Sequence, residues 1–158
     1  MTAAVDTGMK APALTLEATG DQTLSIPPQN GRGLVVFFYP KDNTPGCTTE
    51  AKAFSALKDA FDKAGYDIVG ISRDGMKAHE NFIAKQDLTI PLASDKEGEA
   101  CEAFGVWKEK NMYGRKFMGI ERSTFLIDAD GIIQGVWRKV RVKGHAEAVL
   151  EQVENTES

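Results

Sequence analysis

The stretch YPKDNTPGCTTEAKAF, residues 39–54, places Cys47 directly behind a Thr-Pro-Gly turn. Thr44-Pro45-Gly46-Cys47 fits the start of a helix position by position. Thr44 suits the N-cap, its hydroxyl accepting from a first-turn N–H. Pro45 suits the first helical position, where its missing N–H costs nothing. Gly46 permits close backbone approach. Cys47 then lies in the first turn, its sulfur facing unsatisfied N–H groups and the positive end of the helix dipole. Those features favour thiolate over thiol, so the chemistry to expect is that of a sulfur nucleophile. The competing reading is a small residue filling a first turn.

Magnitudes limit what a helix start can do alone. An ordinary thiol, with a pKa of about 8.5, is about 3% thiolate at neutral pH. Lowering a thiol to about 6 makes it about 90% thiolate, for about 3.4 kcal/mol of differential stabilisation. Nucleophilicity falls with pKa, with a Brønsted slope of about 0.4–0.5, so the net gain is only a few-fold. A fast thiol enzyme must also stabilise charge developing on the atom attacked or leaving. That demands donors: a guanidinium, a hydroxyl, backbone N–H groups.

The elements that must position this sulfur can be read along the chain. PALTLEA and QTLSIP, within residues 12–26, read as two strands around Thr19-Gly20-Asp21. LVVFFY, 34–39, is a strand buried on both faces, as in the middle of an α/β sheet. From Cys47 to about Ala64, the spacing of Phe54, Leu57 and Phe61 predicts one helix, with Glu50 among the residues largely off its apolar face and Gly65 ending it. YDIVGIS, 66–72, is a second buried strand, and a helix follows over about 76–86. The short strand in LTIPLASD carries Pro91, which predicts an edge or a bend. Asp95 can cap a helix through Phe104, closed by Gly105. The polar stretch 108–118 reads as a loop. STFLIDADGIIQGVWRK reads as a hairpin turning at Asp130-Gly131, and HAEAVLEQVENT as a last helix. The tail ENTES is expected to fray. The alternating middle implies a mixed α/β sheet with helices on its faces.

Composition narrows the function classes. A length of 158 residues suits a single domain, 1–158. The net charge of −4, with no basic stripe, argues against nucleic acid. No apolar run is long enough to span a bilayer, and MTAAVDTGMK lacks a secretory pattern, so no membrane partner is expected. Cys47 and Cys101 form no Cys-x-x-Cys and no disulfide framework, and a reducing cytoplasm is the default setting. His79 and His145 have no metal-ligand neighbours at useful spacing, so neither a metal nor a cofactor is expected. His79 is expected on a solvated helix face and His145 near a helix start. Trp107 and Trp137 read as packing residues.

Pro40-x-x-x-Thr44-x-x-Cys47 resembles the active-site signature of the peroxiredoxins. FFYPKDNTPGCTTEA together with GIERSTFLID, 119–128, is similar to the bacterioferritin comigratory, or Q-type, subgroup, and the likeness runs from Pro12 to about Val153. The resemblance implies a thioredoxin-like fold with an N-terminal β-hairpin extension. It implies a thiol peroxidase reducing hydrogen peroxide and organic hydroperoxides. Cys47 resembles the peroxidatic cysteine, which becomes a sulfenic acid. Thr44 resembles the hydroxyl contacting sulfur and peroxide, and Arg122 the arginine holding thiolate and departing oxygen. Pro40 resembles the residue shielding the sulfur from water. Gly46 and Cys47 would add backbone N–H donors, and Glu50 would brace Arg122. Nothing in the spacing alone brings Arg122 to Cys47.

The sulfenic acid must be reduced again. Some Q-type members carry a second cysteine five residues after the first; here that position is Lys52. Others carry it on the following helix, where Ile83 aligns. Cys101 remains, either as a small apolar residue or as a resolving thiol reached by local unfolding. The expected cycle uses one cysteine and an external reductant: glutathione, glutaredoxin or thioredoxin. A monomer is expected. The alternatives are a two-cysteine cycle through Cys101, a thiol–disulfide oxidoreductase, and a redox sensor.

Overall fold

The computed structural model describes residues 5–156. The chain runs β1 (Leu14–Ala18), β2 (Gln22–Ile26), β3 (Gly33–Phe38), α1 (Pro45–Ala56), α2 (Lys58–Lys63), β4 (Tyr66–Ser72), α3 (Met76–Gln86), β5 (Leu92–Ser94), α4 (Glu99–Ala103), β6 (Trp107–Met112), β7 (Arg115–Ile120), β8 (Ser123–Ile127), β9 (Ile133–Trp137) and α5 (His145–Thr156). Seven strands form one sheet in the order β2-β1-β5-β4-β3-β8-β9. β3, β4 and β5 run parallel, as βαβ crossovers require, and the outer pairs are antiparallel. The sheet is therefore mixed, and β1 and β2 are the N-terminal hairpin expected from the sequence.

β3 is buried at every residue, and alternation sends its side chains to two separate cores. Val35, Phe37 and Tyr39 pack with Cys47 and Phe54 of α1, Phe61 of α2, Phe82 of α3 and Val149 of α5. Leu34, Val36 and Phe38 pack on the opposite side with Cys101 and Phe104 from the α4 region and with the N-terminal hairpin. The two cysteines thus belong to opposite faces of the sheet.

Several local expectations change. The helix expected over 47–64 is two helices. At the break the Ser55 carbonyl accepts the Thr89 hydroxyl (3.2 Å), and the Leu57 N–H is shared by the Ala53 and Phe54 carbonyls. β5 is not an edge, since it lies between β1 and β4. Pro91 precedes the strand and uses its carbonyl, accepting from the Gly70 N–H (3.2 Å). The stretch 108–118 is not a loop but the hairpin β6–β7. Tyr113 and Gly114 both have positive φ, 54° and 78°, as a two-residue primed turn requires. Both faces of this hairpin are largely exposed, so no apolar alternation marks its strands. Gly98 sits at the N-cap position of α4, and Asp95 supports the helix start from upstream by accepting the Ala100 and Cys101 N–H groups (3.0 and 2.8 Å). The last helix runs to Thr156, which overturns fraying for that part of the tail; Glu157 and Ser158, like residues 1–4, lie outside the described residues. Among the described residues no helix is long and apolar enough to cross a membrane.

Gly70 of β4 is closely packed between side chains of both neighbouring strands. A Cβ there would lie 2.7 Å from Phe37 Cζ and 2.9 Å from Leu92 Cδ2. Gly70→Ala is expected to lower unfolding stability by about 1–3 kcal/mol through overpacking. Urea titration checks this: the midpoint should fall with an unchanged m-value.

Candidate active site

Thr44 occupies the N-cap of α1 with extended backbone (φ −92°, ψ 153°), and Pro45 is the first helical residue. The Thr44 carbonyl accepts the Thr48 N–H (2.8 Å), starting the helical ladder. The Thr44 hydroxyl does not cap the helix as expected. It turns back and donates to the Lys41 carbonyl (2.8 Å). Cys47, in the first turn, is 1% exposed.

Sheet register brings the arginine to the sulfur. β3 and β8 are antiparallel, with Phe38 opposite Ser123. The residue just before β8, Arg122, therefore sits beside the end of β3, where the loop to α1 begins. Its Nη2 donates to Cys47 Sγ at 3.3 Å, and its Nη1 donates to Glu50 Oε1 at 2.7 Å. Gly46 makes room for this: a Cβ there would lie 3.1 Å from Arg122 Nη2. Pro40 is half-buried at the head of the loop.

Glu50 is 1% exposed, so it is not on a solvated face of α1 as its position in the helix suggested. Burial pushes its carboxyl up to about 7, partly offset by Arg122. Its Oε2 has no hydrogen-bond partner among the described residues. For Arg122, burial opposes the charge, but Glu50 and Cys47 more than offset it and hold the guanidinium above its ordinary range. Lys110 of β6 is held below its usual range by burial and by Arg122, with Cys47 acting the other way, which sets the Lys110 side chain near the site. His145 starts α5, contacts Thr124 Oγ1 at 2.7 Å, and is pushed down to about 4 by burial and then by Arg122.

Cys101 does not join this group. It is fully buried on the other face of the sheet, where burial and Asp95 raise its thiol well above the usual range. Trp107 stacks under the Arg73 guanidinium (4.7 Å), and Trp137 meets His145 edge-on (6.0 Å). A cavity of about 630 Å³ lies elsewhere, lined by residues such as Leu24, Tyr66 and Asp67, and has no share in the Cys47 environment. Among the described residues no cluster of three His, Cys, Asp or Glu side chains is placed to hold a metal ion.

One cluster escaped the sequence reading. His79 is fully buried rather than on a solvated face, because both ring nitrogens meet acceptors inside the fold. Nδ1 lies 2.7 Å from Asp42 Oδ2, and Nε2 lies 2.9 Å from the Ala93 carbonyl. Tyr39 donates its hydroxyl to Asp42 Oδ1 at 2.5 Å. Asp42 lies between Pro40 and Thr44. The only sequence signal was polarity at a loop position, which solvent exposure explains equally well.

The fold and this geometry frame the comparisons with known proteins. Residues 7–136 match the AhpC/TSA family. The chain belongs to that family. Its relatives place it among peroxiredoxins of the Bcp/PrxQ type. Peroxiredoxin Bcp of Xanthomonas campestris is 51% identical over 149 residues, covering 92% of this chain and 93% of its own. The structure of the bacterioferritin comigratory protein of the same organism, determined for insights into its alkyl peroxide reduction activity, has 48% identity and a TM-score of 0.89, covering 97% of this chain and 100% of that one. A cysteine-to-serine mutant of Xylella fastidiosa PrxQ gives a TM-score of 0.93 at 39% identity, covering 99% and 100%. The fold is accordingly the thioredoxin-like α/β fold of these proteins.

Glu50 yields a prediction of definite sign. Its folded value of about 7 stands above the ordinary 4.5, so the folded chain binds more protons than the unfolded chain between those values. Its contribution to stability is full below pH 4.5 and lost as pH rises through 7. His145, held at about 4 instead of 6.5, has the opposite sign: its contribution is present above pH 6.5 and lost as pH falls through 4. Glu50→Gln leaves His145 in place, so the difference between wild type and variant isolates Glu50. From pH 4.5 to 8 that difference should move by about 3 kcal/mol against the wild type. A difference flat with pH, in denaturant unfolding at each pH, contradicts the placement of this carboxyl.

Proposed function

We propose that this peroxiredoxin reduces hydrogen peroxide and organic hydroperoxides through Cys47, with an external thiol closing the cycle. The observation that carries the reading is the Arg122 guanidinium, 3.3 Å from the sulfur through one nitrogen and anchored on buried Glu50 through the other. The thiolate attacks one peroxide oxygen. The S–O bond forms as the O–O bond breaks, and the departing oxygen leaves as water or alcohol after taking a proton. Arg122 faces charge before and after the step, on sulfur and then on the departing oxygen, without moving. Thr44 offers hydroxyl lone pairs to the peroxide O–H, its own hydrogen being given to Lys41. The N–H groups of Gly46 and Cys47 add donors at the helix start. Pro40 limits water at the sulfur.

The sulfenic acid then condenses with a reductant thiol, forming a mixed disulfide and water, and a second thiol releases Cys47. Cys101 is a poor partner for that step. A disulfide needs Cα atoms within about 7 Å, and the two thiols lie in cores on opposite sides of the sheet. This favours a one-cysteine cycle; in our reading glutathione, glutaredoxin or thioredoxin is the external thiol, and the protein is a monomer of a reducing cytoplasm.

Stopped-flow peroxide reduction tests the reading. Cys47→Ser should abolish it, and Arg122→Ala should slow it by about 10²–10³-fold, the usual cost of one lost charge-stabilising donor. Cys101→Ser should leave the peroxide step unchanged. After one equivalent of peroxide, non-reducing mass spectrometry should find Cys47 oxidised and no Cys47–Cys101 bond; such a bond would replace the one-cysteine cycle with the two-cysteine one.

A further inference from the structure

We infer that Asp42, His79 and Asp74 are positioning residues for the peroxide step, acting through one peptide plane on the Thr44 hydroxyl. The inference rests on the peroxidase reading above.

The peptide linking Lys41 to Asp42 is held at both ends. Its N–H donates to Asp74 Oδ2 at 2.8 Å, and its carbonyl accepts the Thr44 hydroxyl at 2.8 Å. A peptide unit is planar, so the direction of the N–H sets the direction of the carbonyl. Asp74 is itself fixed: Ser72 Oγ donates to its Oδ2 (2.7 Å), and Ser94 Oγ donates to its carbonyl (2.7 Å). The Asp42 side chain is fixed by Tyr39 and His79, neither of which is exposed. The Ala93 carbonyl can only accept, so His79 Nε2 carries a hydrogen and orients the ring. At Nδ1 one proton lies in the contact with the Asp42 carboxyl. Asn43, with φ of 61°, then turns the chain back toward Thr44.

The consequence is chemical. A hydroxyl has one hydrogen and two lone pairs. With its hydrogen committed to Lys41, Thr44 Oγ1 is left as an acceptor, suited to the O–H of a peroxide. If the 41–42 peptide rotates, Thr44 regains a free rotor, and the peroxide loses a fixed acceptor. The thiolate and Arg122 are untouched, because they depend on α1 and β8. The cluster therefore governs peroxide alignment rather than sulfur nucleophilicity.

Two reactions of the same sulfur separate these effects: oxidation by hydrogen peroxide, and alkylation by iodoacetamide, which needs no peroxide alignment. Asp42→Ala should slow oxidation by about tenfold or more while alkylation stays within about threefold. Asp42→Asn should rescue it to within about threefold. Its carbonyl oxygen can accept from Tyr39, and its NH₂ can donate to Nδ1 of a neutral His79. In a Thr44→Val background, Asp42→Ala should add less than about twofold, since the two act in series. Asp74→Ala, at a half-buried position, makes the same comparison should Asp42→Ala not fold. The inference is overturned if a folded variant keeps the wild-type peroxide rate, if alkylation falls in proportion, or if the Asp42 and Thr44 losses multiply. The wild-type rate, measured alongside, tests the peroxidase reading separately.

Discussion

A single guanidinium joins two groups that the fold has taken out of water. Arg122 reaches Cys47 with one nitrogen and Glu50 with another, and both partners are almost fully buried. Removing Arg122 leaves both buried groups without their partner, a cost that a surface ion pair does not carry. The carboxylate fixes the planar fork, and the fork then presents a fixed N–H direction to the sulfur. Much of the rest of the structure serves to make this contact possible. β3 ends beside Arg122, α1 starts there with a proline and a glycine, and the glycine lacks the carbon that would crowd the guanidinium.

Charge around the site is balanced rather than maximised. A buried carboxylate would shed its charge without the arginine, and the arginine would be costly to bury without the carboxylate. Burial, and after it the guanidinium, depresses His145 and Lys110, so neighbouring bases have reduced capacity to add positive charge. The sulfur consequently faces one committed cation and the dipoles of a helix start. The loop between β3 and α1 has its own anchor in the Asp42–His79 contact, on the same side of the sheet but independent of Arg122. Two separate supports thus meet at one short segment, one holding the guanidinium beside the Cys47 sulfur and the other the loop in front of it.

The sheet keeps the two thiols apart. Because alternate residues of β3 feed opposite cores, α1 and α4 pack on different faces, and Cys47 and Cys101 go with them. The environments diverge accordingly. Cys47 meets a guanidinium at a helix start, whereas Cys101 meets burial and an aspartate, which favour the neutral thiol.

Where the information is local, the amino-acid order alone determined the outcome. β4 is read from sequence to the residue and α3 closely, because periodicity acts within a few positions. The same holds for the helix start at Pro45, and family likeness pointed to Arg122 and Glu50 as partners. Where the outcome depends on what the chain folds against, the order was silent or misleading. The β6–β7 hairpin has no buried face to print a pattern, and the α1–α2 break depends in part on Thr89 from a distant segment. Thr44 looked like a cap, but its hydroxyl found the Lys41 carbonyl. His79 and Asp42 each look like surface residues, and only packing of α3 over the β3–α1 loop turns them into a buried pair. Arg122 meets Cys47 only through the antiparallel register of β3 and β8. Those meetings are long-range contacts between polar groups, and polarity in a sequence does not distinguish a partner in the core from a partner in water.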